Sequence, residues 1–432
     1  MVLPQTAEVN GAEHLEIGGC DTVELAREFG TPLFVMDEET IRSNCRHYKA
    51  GFKDAEVIYA GKAFISLAMC RLIDQEGLSL DASSGGELFI AKKAGFPAER
   101  MYLHGNNKTK DELDIALEYG VGRIVADSFN ELDLLRDLAA SKGIKPKILL
   151  RITPGIEAHT HEYIQTGGAD SKFGFGLLSG GAAMEAVRTV LGMEDVFLAG
   201  IHAHIGSQIF ALHSYAKAIE IIMGFIKEIR DETGFEIGEF NAGGGLGIKY
   251  KAEDEPSTIE EYAEVIVGGV EREAEKLGLE RPKIMIEPGR SIVGSSGVTL
   301  YTIGTIKKIP GIRTYISVDG GMSDNLRPML YKAVYEAFLA NKAGQKGTEK
   351  VTIAGKHCES GDILVKNAKI PAPEIGDILC TPATGAYGYV MANNYNKATR
   401  PAVVLVMDGN AKVIVRRETY EDLLNLEEPL VE

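Results

Sequence analysis

Cysteine is scarce in this chain, and its spacing suggests no scaffold. The five cysteines among 432 residues, Cys20, Cys45, Cys70, Cys358 and Cys380, are odd in number, scattered and free of C-x-x-C pairs. That excludes a disulfide framework or a structural zinc site as the organising device, and it fits a reducing cytoplasm. Long apolar runs are missing too; none approaches the length of a membrane span. The opening MVLPQTAEVNGAEHLEIGG has neither a basic start nor a long apolar core, so no signal peptide is expected. Positive charge is in deficit. The 46 Lys and Arg against 62 Asp and Glu leave a formal charge of −16. This argues against nucleic acid or an anionic membrane as partner, but not against a small anion held in a pocket. No solenoid repeat and no low-complexity linker is visible.

What is present is an ordinary globular composition, 45% hydrophobic and 25% charged, in a chain long enough for two domains with sizeable cores. Asp21 and Gly30 bracket a short amphipathic helix as N-cap and stop. Thr31–Asp37 reads as a strand and a helix follows to about Ala50. Strand-like runs then recur at Val57–Ala60, Leu78–Ala82, Met101–His104, Arg123–Ala126, Lys147–Ile152, Ala199–Ile205, Ile237–Ala242 and Lys283–Glu287. Segments of helical period such as DELDIALEYG and NELDLLRDLAASKG separate them. Strands alternating with helices mean a parallel sheet, and eight units predict a (β/α)8 TIM-like barrel in an α/β chain. The rhythm stops after Arg290. Short strands dominate the remainder, with a hairpin about Asp408-Gly409-Asn410 and one helix expected from about Pro328 to Asn341. The expected division is an N-terminal segment 1–36 packing with the β domain, a barrel over 37–290, and a mainly β C-terminal domain over 291–432.

Chemistry in such a barrel sits at the C-terminal ends of the strands. Those ends carry Lys62, Asp81, His104, Arg151, His204, Gly243-Gly244-Gly245 and Glu287-Pro288-Gly289-Arg290. A barrel built only for stability does not need polar residues there. Lys62 follows the buried-strand pattern VIYA. An ammonium set against an apolar floor is desolvated, which favours the free amine that attacks a carbonyl. The glycine run lets the backbone approach an anion after the seventh strand, where barrels commonly hold phosphate. Ser207 and Arg290 can add a hydroxyl and a charge. A lysine with three phosphate ligands suggests pyridoxal 5'-phosphate. Glu287 suits the ring nitrogen, because a carboxylate there keeps the ring protonated and a stronger electron sink. His204 can stack on the ring. No metal site is expected.

Taken together, YAGKA, LDASSGGEL, SKFGF, HAHIGSQ, NAGGGLG, EPGRSIV, MSDNLRPMLY, HCESGD and GAYGYVMANNYN make the chain resemble the group IV pyridoxal-phosphate-dependent decarboxylases of alanine-racemase-like barrel fold, from about Leu25 to Val415. Within them it is similar to those acting on meso-diaminopimelate in lysine biosynthesis. The resemblance implies that Lys62 carries the aldehyde, His204 stacks on the ring and Glu287 pairs with its nitrogen. It implies that Ser207, Gly244, Gly245, Gly289 and Arg290 lie at or near the phosphate, with Asp81 and Arg151 as supporting residues. It also implies that Arg290, Arg327, Tyr331 and Glu359 hold the distal amino-acid head of the substrate, Cys358 donates a proton, and Tyr387 contacts cofactor and substrate. A homodimer with active sites shared across its interface is a further implication. Lys172-Phe173-Gly174 is a motif without an assigned role. Physics supports the substrate class separately: a distal carboxylate calls for arginine and a distal ammonium for a carboxylate. The alternatives are decarboxylation of carboxynorspermidine, ornithine or lysine, a racemase of the same fold, or a non-catalytic relative.

Overall fold

The computed structural model describes residues 2–156, 168, 170–178 and 180–430. Its contacts divide the chain into two compact units: residues 44–248 with 255–291, and residues 1–43 with 249–254 and 292–432.

The first unit is a closed barrel of eight parallel strands. In chain order these are Ala55–Ala60, Ser79–Ala82, Met101–Leu103, Arg123–Ala126, Lys147–Thr153, Phe197–His202, Glu239–Asn241 and Lys283–Ile286. Each pairs with the next, and the eighth returns to the first through Met285 beside Glu56 and Ile286 beside Val57. The helices between them start and stop as their sequences demand. Thr109 and Glu112 close a reciprocal capping box on Lys110–Tyr119, and Thr258 with Glu261 does the same on Ile259–Leu277. Gly95, Gly120 and Gly143 end three helices in the left-handed conformation that favours glycine.

The second unit is mainly β. The long strand Gly297–Ile309 runs antiparallel to Leu33–Asp37, Arg313–Val318 and Ile378–Thr381. Leu33–Asp37 also pairs in parallel with Ala402–Met407, so the N-terminal strand lies inside this sheet. The hairpin Ala402–Met407/Asn410–Val415 turns at Asp408 and Gly409, both with positive φ, as a type I′ turn requires. Asp21 caps the helix Thr22–Phe29 through the N–H groups of Val23 and Glu24. The helix expected from Pro328 to Asn341 is absent. Only Arg327–Tyr331 is α-helical, and Lys332 ends it in the left-handed region with φ 53°; a 3-10 turn follows at Ala340–Lys342. Phe338 and Leu339 instead pair with Ile378–Thr381, where burial of the aromatic side chain outweighs helix propensity. Among the described residues, no helix is long and apolar enough to cross a membrane.

Candidate active site

The barrel interior is closed by an apolar floor of Ile58, Tyr102, Val125, Leu149, Ala199 and Met285. Strand side chains repeat every two residues, so the next inward positions stand above that floor. His104 follows Tyr102, Arg151 follows Leu149, and Glu287 follows Met285. The sixth strand departs from this count. Its register shifts between Leu198 and Gly200. That irregularity absorbs one residue, and His202 rather than Ile201 joins the cluster above Ala199.

Lys62 lies in a single turn, Gly61–Ala63, directly after the first strand. Gly61 allows this turn to press on the second strand, since a Cβ there would meet the Asp81 carbonyl oxygen at 2.6 Å. Asp81 is fully buried, and neither of its carboxylate oxygens closes a hydrogen bond of good geometry. Burial pushes its carboxyl up to about 7, opposed by the Lys62 charge and reinforced by Glu287. Arg151 is buried beneath the ring of Phe173, its guanidinium carbon 4.3 Å from the ring centroid. Gly174 donates its N–H to Asp127 Oδ1 at 2.6 Å, and the Thr153 hydroxyl donates to the Phe173 carbonyl at 2.5 Å. The motif Lys172-Phe173-Gly174 thus lies on the end of the fifth strand and covers Arg151.

Glu287 is held from three strands. His104 Nε2 lies 2.8 Å from Oε1, though out of line for a straight hydrogen bond, and His202 Nε2 lies 3.1 Å from Oε2. Asn241 Nδ2 donates to Oε1 at 2.7 Å. Burial raises the Glu287 carboxyl, but the imidazoles of His104 and His202 outweigh it and hold the group well below the usual carboxylate range. Burial pushes His104 down and His202 down to about 4, so both rings are neutral at pH 7. In the sequence His104 is a polar strand end without a role, and His202 and Asn241 carry no signal that sets them apart. The His104, His202 and Glu287 donor atoms lie within 4.8 Å of one another, close enough for a cation. The amide N–H of Asn241 on the same carboxylate favours a donor-satisfied carboxylate instead.

Three glycine-bearing loops meet beside this cluster. Added Cβ atoms at Gly244, Gly245 and Gly289 would meet the Glu287 carbonyl oxygen at 1.9 Å, the Gly206 carbonyl oxygen at 2.3 Å and the Ala60 Cβ at 2.9 Å. Only glycine permits this approach. Gly244 donates its N–H to His204 Nδ1 at 3.3 Å, which places the ring proton of neutral His204 on Nε2. Burial, with the Lys62 and Arg151 charges, holds His204 well below its ordinary value. Arg290 Nη2 donates to Ser207 Oγ at 3.0 Å, so the guanidinium and hydroxyl expected on one anion stand together.

The remaining residues belong to the β unit. Arg327 is buried, donates from Nη1 to the Tyr335 hydroxyl, and stands 4.9 Å over the Tyr250 ring. Tyr331 closes the same short helix and is half-buried. Cys358 and Glu359 are exposed, and Cys358 is the exposed one of the five cysteines. Asp362 ties down their loop by accepting the N–H groups of His357 and Met322 at 2.9 and 2.7 Å. Tyr387 has φ 56°, a strained value for a tyrosine.

What the barrel gathers suits one class of enzyme, those that hold a phosphorylated aldehyde on a lysine. Residues 38–294 match the family model for pyridoxal-dependent decarboxylases, pyridoxal binding domain. Diaminopimelate decarboxylases of Bacillus subtilis and Halalkalibacterium halodurans are 51% and 50% identical, each alignment covering 99% of this chain and 98% of the relative. The crystal structure of diaminopimelate decarboxylase from M. jannaschii superposes with a TM-score of 0.92 at 36% identity, covering 99% of each chain. The chain belongs to the pyridoxal-dependent decarboxylases and, within them, to the diaminopimelate decarboxylases. The barrel fits pyridoxal phosphate on its own evidence. The glycines leave a cradle that side chains would fill, and a buried, unsatisfied Asp81 stands beside Lys62.

Proposed function

We propose that this chain decarboxylates meso-2,6-diaminopimelate to L-lysine and CO2 in the cytoplasm, as the last step of lysine biosynthesis, working as a homodimer. The observation that carries the substrate class is Arg327. Its guanidinium is buried and held by two tyrosines, and no described acidic side chain forms an ion pair with it. A buried charge without a counter-ion is costly unless a ligand supplies one. A distal carboxylate does so; a substrate ending in an ammonium alone does not.

Lys62 is the residue that carries the cofactor. Ser207, Gly244, Gly245, Gly289 and Arg290 would hold its phosphate, His204 would stack on its ring, and Asp81 and Arg151 would support the pocket. Bound pyridoxal phosphate supplies the electron sink that accepts the pair left when CO2 departs. Glu287 stays ionised against the ring nitrogen and strengthens that sink. Arg327 and Arg290 orient the distal carboxylate, Glu359 takes the distal ammonium, and Tyr331 and Tyr387 line the substrate. Cys358 Sγ gives its proton to the α-carbon, replacing the lost carboxylate by hydrogen. Cys358 and Glu359 come from the partner subunit; the exposure of their loop supports this.

The test is release of lysine and CO2 from meso-diaminopimelate by purified protein, against ornithine, lysine and carboxynorspermidine. Turnover confined to meso-diaminopimelate is expected. Arg327→Met should weaken its binding by on the order of 2–4 kcal/mol, the worth of a charge-assisted bidentate contact and its desolvation. Preference for another substrate, or binding unchanged in the variant, would refute the reading.

A further inference from the structure

We propose that His104 and His202 are positioning residues, which grip the two Glu287 oxygens from the third and sixth strands and keep that carboxylate charged toward the cofactor. The inference rests on the role of Glu287 given above.

The geometry determines which proton the His202 ring holds. His202 Nε2 is 3.1 Å from Glu287 Oε2, while its Nδ1 is buried with no hydrogen-bond partner. A bare lone pair is tolerable there; a buried N–H without an acceptor is not. His202 is therefore the neutral Nε2–H tautomer, and its proton points at Glu287. His104 approaches Oε1 at 2.8 Å, and its ring stands edge-on to His202 with centroids 4.9 Å apart. Asn241 donates to the same Oε1 at 2.7 Å.

Neutral donors suit this task better than a cation would. An arginine against Glu287 would also keep it ionised, but would cancel the negative field that the ring nitrogen must feel. Neutral N–H groups of His202 and Asn241, with the His104 ring set against Oε1, stabilise the carboxylate and leave its charge in place. Asp81 provides the contrast within the same barrel. It is as deeply buried but meets no imidazole or amide side chain, and burial pushes it up to about 7 against the Lys62 charge and the Gly61 N–H. Besides these two histidines, the charged or titratable groups that act on Glu287 are Asp81 from the second strand, Arg151 from the fifth, His204 after the sixth and Tyr262 from the helix Ile259–Leu277. The turn after the first strand adds Lys62, whose charge, like Glu287, acts on Asp81, His104 and His204.

The test compares His202→Leu and His104→Leu with His202→Gln, whose amide N–H can reach the Nε2 position. Losing one hydrogen bond to a charged group should lower kcat roughly 10- to 100-fold with KM little changed. The visible absorption of the bound cofactor should titrate at a shifted pH, and the Gln variant should recover most of both properties. An independent readout is 15N-histidine NMR of the wild-type protein, with signals assigned from single His→Gln variants. A neutral Nε2–H tautomer at His202 and a neutral ring at His104 are expected at pH 7. An Nδ1–H tautomer or an imidazolium at His202 would overturn the proposal. So would a folded His202→Leu enzyme with wild-type kcat and cofactor titration. If the Leu variants fail to fold, the Gln variant and the NMR tautomer decide. Failure of the decarboxylase reading shows differently, as wild-type protein that releases no lysine from meso-diaminopimelate while the tautomers stay as stated.

Discussion

Two buried carboxylates within one barrel are shifted in opposite directions, and the groups around them account for the difference. Glu287 meets two imidazoles and an amide and is held ionised; Asp81 meets none in good geometry and is pushed toward its neutral form. Lys62 acts beside Asp81. Borohydride reduction of the cofactor-loaded protein should therefore fix the cofactor on one peptide, the one containing Lys62. Lys62→Ala should lose both the label and the visible absorption band, and a label on any other lysine would refute the assignment. Lys62, His204 and Glu287 were legible in the sequence because each follows a strand-like run at a position that packing alone does not require to be polar. His202 was not. It lies within a strand, two residues before a histidine in a more recognisable motif. Its inward orientation depends on the register shift at Leu198/Gly200, which alternation cannot reveal. Asn241 ends a strand read only as leading into a glycine run, and its partner lies 46 residues away.

Elements were legible wherever local signals and tertiary contacts agreed. The barrel strands stand where the apolar runs do, and the helices between them carry caps and stops that act locally. The segment after Arg327 shows the opposite case. Its composition tolerates a helix, but pairing of Phe338 and Leu339 with a strand 40 residues away wins. The motif Lys172-Phe173-Gly174 gave no local clue either, because its contact is the face of Phe173 on Arg151. The β unit also carries a testable internal acid. Asp324 is buried, accepts from the Tyr301 hydroxyl at 2.5 Å and the Gly321 N–H at 2.9 Å, and burial pushes its carboxyl from 3.8 up to about 7. The folded state then binds a proton that the unfolded state has released. The stabilisation is complete below pH 3.8 and is lost as pH rises to about 7. Asp324→Asn keeps a neutral side chain that can accept from Gly321 and donate to Tyr301. It should be more stable than wild type at pH 8, by on the order of 2–4 kcal/mol, with the gap closing toward pH 4. Denaturant midpoints measured at both pH values check this; a gap that does not change with pH would refute it.

At the scale of the whole molecule, the question is where the exposed HCESGD loop acts. Cys358 and Glu359 face solvent on a single chain, although they are the groups proposed to donate a proton and to take the distal ammonium. Nearby, Met329 is 43% exposed and packs toward Gly361 of the same loop, and Leu330 and Val334 are also exposed. Apolar side chains exposed around this loop suit a surface that a second copy covers. In the proposed two-fold dimer each site takes its barrel from one subunit and its HCESGD loop from the other, and the axis makes the exchange reciprocal. The alternative is a site made within one chain, with any dimer incidental. Mixing two defective variants separates them. Lys62→Ala and Cys358→Ala should each be nearly inactive. After they are dissociated together and reassociated, about half of the dimers pair one of each by random association. In such a dimer with shared sites, one site collects both lesions and the other neither, so total activity should return to roughly a quarter of wild type. If each site lies within one chain, every site keeps one lesion and no activity returns. Activity of the mixture measured against wild type carried through the same dissociation is the readout. A mixture no more active than the two variants alone, with mixed dimers shown by native mass spectrometry, would refute the shared site.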